Sequence, residues 1–205
     1  MGKTLVNTEE CRVQDQVKAA FRSDLRSGRH VMNAAERAQA ASSLRDALLT
    51  VPEVEMASSI AAYVSSDSEP GTRSLLFALW KRGSYVLLPR LLPGGDLDWA
   101  SYEGPDSLAP GPHGLLEPTE PARGVDAIKA ADVILVPALA VDRHGMRLGR
   151  GGGSYDRALS RVGPAILTVG LVFDHEFVDE VPSEPHDQPV RAVATPSGGF
   201  RRIPR

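Results

Sequence analysis

The chain has 205 residues, 42% hydrophobic and 24% charged, which is enough for one domain with a real core and cramped for two. A net charge of -3 gives no general pull toward nucleic acid or an anionic membrane, so any anionic ligand must be held by a local set of donors. A single cysteine, Cys11, excludes an intrachain disulfide and a multi-thiolate metal site and suits the cytoplasm, and the longest apolar run, 133–141 with Pro137 inside it, is far below the roughly 20 residues of a membrane span.

Val13, Val17, Ala20, Phe21 and Leu25 recur at helical spacing and predict an amphipathic helix over 13–25, with Lys18 and Arg22 four apart on its other side. Asn33 followed by Glu36 reads as a capping box opening a second helix through Leu49, closed by Pro52. Residues 59–64 read as a strand, SSDSEPGT as turn chemistry, TRSLLFALWKR as a helix and SYVLLP as a second strand. From 94 to 120 the density of Gly and Pro predicts a long surface excursion with room for a short hairpin. ADVILVPAL is apolar on both faces, as expected of a buried parallel strand; SYDRALSRV begins a helix, and AILTVGLVF and VRAVAT supply two more strands. This alternation predicts a single domain over 1–205, an α/β protein built as a three-layer α/β/α sandwich with a mostly parallel sheet.

The stretch from Asp142 to Asp156 carries the chemistry. Gly149, Gly151, Gly152 and Gly153 fall within five residues between a buried strand and a helix start, where backbone N–H groups can converge on an anion with no Cβ in the way. Arg147 and Arg150 can add forked, charge-assisted bonds to phosphate oxygens. From Asp142 to Arg157 there are four arginines against two aspartates, a local +2 in an acidic chain. The loop is neither a P-loop, since GxxxxGK[ST] is absent, nor a well-spaced dinucleotide fingerprint.

Asp156 reads as an acid favoured by the helix N-terminus or as a Mg2+ ligand beside phosphates, and Asp187 as a turn residue or a second carboxylate for that metal. Lys18 and Arg22 read as a solvated face or as a pair addressing one target. Glu69 reads as a turn residue or, at a strand end, as a ligand contact. GxSxG is missing and no His pair has zinc spacing, so the residues alone point to phosphoryl chemistry on a small molecule with ATP and Mg2+.

The segment VPALAVDRHGMRLGRGGGSYDR strongly resembles the signature of the 5-formyltetrahydrofolate cyclo-ligase family. The resemblance extends to Lys18 and Arg22 in VKAAFR, Glu69 and Thr72 in SEPGT, Arg90 in LPR, the HGLLEP segment and VPSEPHD ending at Asp187. It implies a sheet like that of ribose-5-phosphate isomerase and the CoA transferases, and an ATP- and Mg2+-dependent ring closure of 5-formyltetrahydrofolate to 5,10-methenyltetrahydrofolate, with ADP and phosphate released. By the same resemblance Lys18, Arg22, Arg147, Tyr155 and the Gly149, Gly151, Gly152 and Gly153 backbone would hold ATP, and Arg150 would meet the transferring phosphoryl group. Asp156 and Asp187 would organise Mg2+, Glu69 would bind the reacting end of the pterin, and His113 and Leu116 would wall the folate. Lys18, Arg147 and Arg150 are the implied catalytic set, in a monomer whose partners are folate and ATP. Three positions depart from the family pattern: Ser154 stands where a first tyrosine is usual, His113 where an aromatic is common, and Leu91 where a tyrosine often follows Pro-Arg. They leave two alternatives, a same-fold enzyme for another acylated or phosphorylated substrate and a non-catalytic nucleotide- or folate-binding protein.

Overall fold

The computed structural model describes residues 8–66 and 68–204, leaving aside the side chains of 8–13 and of His113. Its helices are α1 (Thr8–Val31), α2 (Ala34–Leu49), α3 (Pro52–Glu55), α4 (Arg73–Lys81) and α5 (Ser154–Leu159). Seven strands form the main sheet: β1 (Ser59–Ala61), β2 (Tyr85–Leu91), β3 (Leu97–Ser101), β6 (Val133–Pro137), β9 (Leu167–Leu171), β11 (Ala192–Thr195) and β12 (Gly199–Arg202). A three-stranded sheet holds β7 (Ala140–Asp142), β8 (Arg147–Leu148) and β10 (Phe177–Val178), and a hairpin pairs β4 (Leu108–Pro110) with β5 (Leu116–Pro118).

The main sheet runs β12-β11-β9-β6-β1-β2-β3, with parallel pairing from β11 to β2 and an antiparallel strand at each edge. Successive side chains of a strand point to opposite faces, and here the two faces build two cores. Ile60, Val86, Leu88, Val133 and Leu135 pack with Leu44, Leu48 and Leu76 of α2 and α4. Their neighbours Ala61, Leu87, Ile134 and Val136 pack on the other face with Ile128, Ala158 and Leu159. Helices therefore lie against both faces of the sheet, as the doubly apolar strands require.

Local chemistry sets several boundaries. Asn33 caps α2: its side chain accepts from Glu36 N–H while the Glu36 carboxylate accepts from Asn33 N–H. Thr50 ends that helix, and Pro52, expected to close it, instead opens α3 as its first residue, where a missing N–H costs nothing.

Two expectations need correction. The 94–120 stretch is not all surface excursion, because β3 lies within it, pairs with β2 and buries Trp99 completely. Alternation of Leu97 and Trp99 was the available signal, and the Gly94–Gly95 turn masked it. The inner face of α1 also differs: Phe21 and Leu25 face inward, but Val17 is half-exposed while Lys18 and Arg29 are buried. Buried cations need partners, and they find them in 174–187, where Arg29 meets Glu176 and Lys18 meets Glu184 and Asp187.

Candidate active site

Strand order reverses between β1 and β6: the chain goes from β1 outward to β2 on one side and from β6 through β9 to β11 on the other. In open α/β sheets the crevice beyond the carboxyl ends at such a point is the usual ligand site. The loop after β1 carries Tyr63, Ser66 and Glu69 into this crevice. The chain after β6 makes the β7–β8 hairpin before the glycine run, so that loop does not follow the buried strand directly.

Asp142, the first residue of the predicted ligand loop, is structural. It is buried, with Oδ1 accepting from the N–H of His144 and Met146 at 2.8 and 2.9 Å and Oδ2 from Val181 N–H at 3.0 Å. The loop's glycine run and remaining arginines therefore lie in 147–157, beyond this structural turn. Gly151 and Gly153 have φ of 100° and 66°, conformations open to glycine at little cost. The helix that follows, α5, has six residues and no side-chain cap, so the loop N–H groups and the arginines carry the positive potential more than a helix dipole does.

The arginines are held by specific partners. Arg147, nearly buried, donates from Nη2 to Asp156 Oδ1 at 2.6 Å and lies over the Tyr155 ring, Cζ 6.0 Å from its centroid. Burial pulls its pKa down from the ordinary guanidinium value, with Asp156 opposing. Arg150, half-exposed, donates to Ser66 Oγ at 2.5 Å and lies 3.1 Å from Glu69 Oε1. Arg22 Nε donates to Gly149 O at 3.0 Å, with its guanidinium against Gly151. Arg157, which the sequence reading did not single out, donates to Gly95 O at 2.7 Å and Gly152 O at 2.9 Å and so pins the glycine loop to the β2–β3 turn.

Lys18 Nζ donates to Glu184 Oε2 at 2.6 Å and Asp187 Oδ2 at 2.8 Å. Burial disfavours its charge, but the two carboxylates outweigh burial and raise its pKa. Burial likewise pushes the Asp187 carboxyl up, and Lys18 with the Glu184 N–H brings it below its ordinary value. Glu184, His186 and Asp187 present ligand atoms within 4.8 Å of one another; Glu184 was missed because one acid in a Pro-rich turn carries no spacing signal. Asp156 stands outside this trio, and both of its bonds, from Arg147 and from Gln188 N–H, fall on Oδ1.

Four buried polar atoms lack a hydrogen-bond partner among the described residues, and three belong to this crevice: Tyr63 OH, Tyr155 OH and Arg147 Nε. Each orphan costs about 1–3 kcal/mol. Burial raises the pKa of both tyrosines, and the Glu69 carboxylate adds to this, so both hydroxyls stay protonated donors at neutral pH. Tyr63 was also missed, because a tyrosine after an apolar strand reads as core. The structure thus brings together Lys18, Arg22, Glu69, Arg147, the glycine loop, Arg150, Tyr155, Asp156 and Asp187. Leu116 is half-buried and packs against the core under α2 and α4, while the His113 side chain lies outside the described residues. Ser154 begins α5, and Leu91 ends β2 with its N–H donating to Glu117.

Comparison with known proteins places this arrangement. Residues 14–196 match the model of the 5-formyltetrahydrofolate cyclo-ligase family. The 5-formyltetrahydrofolate cyclo-ligase of Mycolicibacterium smegmatis is 45% identical over 146 residues, 69% of this chain and 75% of the relative. That of Escherichia coli K12 is 37% identical over 153 residues, 73% and 84% of the two chains. The solution structure of Aquifex aeolicus 5,10-methenyltetrahydrofolate synthetase superposes with a TM-score of 0.80 at 26% identity, covering 92% of this chain and 94% of that one. A match over most of the chain, with the glycine loop and its partners inside it, leaves one assignment: the chain belongs to the 5-formyltetrahydrofolate cyclo-ligase family.

Proposed function

We infer that this chain is the ATP-dependent ligase its family is named for, closing 5-formyltetrahydrofolate to 5,10-methenyltetrahydrofolate with release of ADP and phosphate. The observation that carries the residue-level reading is the meeting of Arg150 with Glu69, which joins the phosphate-directed loop to the β1–α4 loop at one centre. The formyl oxygen of the substrate is itself the nucleophile, so the protein need supply only in-line positioning and positive charge. That accords with a site rich in guanidinium groups and lacking a nucleophile elbow.

Lys18, Arg22, Arg147 and the N–H groups of Gly149 to Gly153 bind the ATP phosphates, and Arg150 takes the transferring phosphoryl group. Glu69 binds the folate near the reacting end of its pterin ring, close to the protonated Tyr63 and Tyr155 hydroxyls, and the segment with His113 and Leu116 walls the folate. For Mg2+ the donor set fits: hard carboxylate oxygens beside a phosphate cradle suit this ion, with Asp187 and Asp156 as holders and Glu184 in reach. Bound there, Mg2+ would neutralise charge on the phosphate oxygens. The sheet resembles that of ribose-5-phosphate isomerase and the CoA transferases, and the chain acts as one catalytic domain, a monomer in the cytoplasm.

The test is the near-ultraviolet absorbance of the methenyl product when the protein meets 5-formyltetrahydrofolate, ATP and Mg2+, with each left out in turn. A rise that needs all three supports the reading; folded protein that binds ATP and gives no rise moves it to another acylated pterin.

A further inference from the structure

Tyr63 stands two residues beyond the carboxyl end of β1, at the point where the strand order reverses. One residue fixes its backbone: Thr72 Oγ1 donates to Tyr63 O at 2.7 Å and accepts from Ser65 N–H at 2.9 Å, while Thr72 N–H donates to Ser65 Oγ at 3.0 Å. All three bonds are buried, so the direction of the Tyr63 ring is set. The ring packs in the core under α2 and α4, where a phenylalanine would pack as well. The hydroxyl is therefore surplus to packing. It is buried with no partner among the described residues, and a desolvated donor left without an acceptor is destabilising.

The surroundings of that hydroxyl indicate what it meets. Burial raises its pKa, and the Glu69 carboxylate and then Tyr155 add to the rise, so it lies in the field of both and keeps its proton at neutral pH. Glu69 is itself held by Ser66 N–H at 2.8 Å and by Arg150 at 3.1 Å. A neutral donor beside a carboxylate is a poor phosphate site, because the carboxylate repels the anion and the guanidinium groups of the glycine loop offer a better one. A donor next to an anionic acceptor instead matches a lactam edge, where a carbonyl oxygen stands beside an N–H. The reduced pterin ring has such an edge: its C4 carbonyl lies between N3–H and the ring carbon that bears N5, next to the formyl group. The formyl oxygen is the poorer target, since a ground-state hydrogen bond to it would draw electron density from the nucleophile of the reaction.

We propose that the Tyr63 hydroxyl donates to the C4 carbonyl oxygen of the pterin, selecting a 4-oxo ring and setting its rotation at the reaction centre. This rests on the reading that Glu69 faces the reacting end of the pterin. The hydroxyl is closed off from solvent while Arg150 bridges Ser66 and Glu69 across the mouth of the site, so the substrate reaches it as Arg150 turns to the phosphoryl group.

Tyr63→Phe tests it, because the substitution removes only the hydroxyl and keeps the ring in the core. Binding constants are measured for 5-formyltetrahydrofolate and for its 4-amino-4-deoxy analogue, which has a donor where the substrate has the C4 oxygen, together with KM for ATP and the melting temperature. The variant is expected to bind 5-formyltetrahydrofolate about tenfold more weakly than wild type and the 4-amino analogue no more weakly. KM for ATP stays as in wild type, and the melting temperature equals or exceeds that of wild type, since an orphaned donor is gone. Gain of stability with loss of affinity is a pattern that a merely structural tyrosine does not give. Unchanged affinity for 5-formyltetrahydrofolate overturns the proposal, as does an equal loss for both compounds, which would be an effect of ring packing. A rise in KM for ATP in place of the folate effect gives the hydroxyl to the nucleotide and overturns it too. Turnover reports on the reaction separately: if wild type turns nothing over, the two binding constants still decide the role of Tyr63.

Discussion

Arg150 and Glu69 meet across the mouth of the site, Nη2 3.1 Å from Oε1, with Ser66 Oγ sharing the guanidinium at 2.5 Å. Half-exposed Arg150 reaches its partners from the glycine run, whereas the Glu69 side chain is largely buried. In the proposed reaction Arg150 exchanges this carboxylate for the migrating phosphoryl group, where its charge counts most in the transition state. Arg150→Ala should therefore lower kcat by about 100- to 1000-fold with a much smaller change in KM for ATP. Steady-state kinetics with each substrate varied would show it, and near-normal kcat would remove Arg150 from that role.

Lys18 and Asp187 titrate in opposite directions, and this fixes a pH window. The depressed Asp187 carboxyl stabilises the fold above its unfolded pKa of about 3.9 and loses that contribution as pH falls through its lower folded value. The raised Lys18 ammonium stabilises below its unfolded pKa of about 10.4 and loses that contribution as pH rises through its higher folded value. The pair is thus fully effective between about pH 4 and pH 10. Lys18→Met leaves the Glu184 and Asp187 carboxylates facing each other without a cation, a repulsion that lowers stability. Denaturant melts should show the gap between wild type and variant at its full size from about pH 5 to about pH 9 and closing as pH falls below about 4.

Gly145 turns the β7–β8 hairpin with φ of 85°, and a Cβ there would run into the carbonyl oxygen of Val190. That backbone is tied in place, since Val190 N–H donates to Gly145 O at 2.8 Å. Gly145→Ala should cost about 2–5 kcal/mol, backbone strain and overpacking together. Gly124 has a similar φ of 92° with nothing near its would-be Cβ, so Gly124→Ala should cost only the strain, about 1–2 kcal/mol. Thermal melts of the two variants separate the contributions; equal losses would mean that the contact with Val190 is relieved.

What the sequence made legible follows from the range over which each signal acts. The capping box at Asn33 and Glu36, the doubly apolar β6 and the glycine run are local patterns, and the structure has them where they were read. The inner face of α1 was misassigned because Lys18 and Arg29 are buried against acids 147 to 169 residues away, which no periodicity within the helix can reveal. β3 was hidden by its glycine-rich turn, and Glu184 and Tyr63 became visible only through their neighbours. In the candidate site, the residues found by pattern were those of one loop, and the rest needed either the family resemblance or the fold.

The ion pair at the far end of α1 shows how that helix is docked. Arg29 donates from Nε and Nη2 to the two oxygens of Glu176 at 2.6 and 2.9 Å and from Nη2 to Ala138 O at 2.7 Å, with both side chains essentially excluded from solvent. Removing one member leaves a buried charge uncompensated, so Glu176→Gln or Arg29→Met should each cost about 3–5 kcal/mol. The Arg29→Met/Glu176→Leu double variant should lose less than the sum, because no buried charge remains, the residual loss coming from Ala138 O and Phe173 N–H, which lose these partners. Lys18 and Arg22 ride on the same helix, so loosening its end in Glu176→Gln should also raise KM for ATP, and the repacked double variant should recover it. Denaturation and ATP titration on all three variants check both halves; if KM for ATP stays constant while stability falls, Arg29 anchors the fold without positioning Lys18 and Arg22.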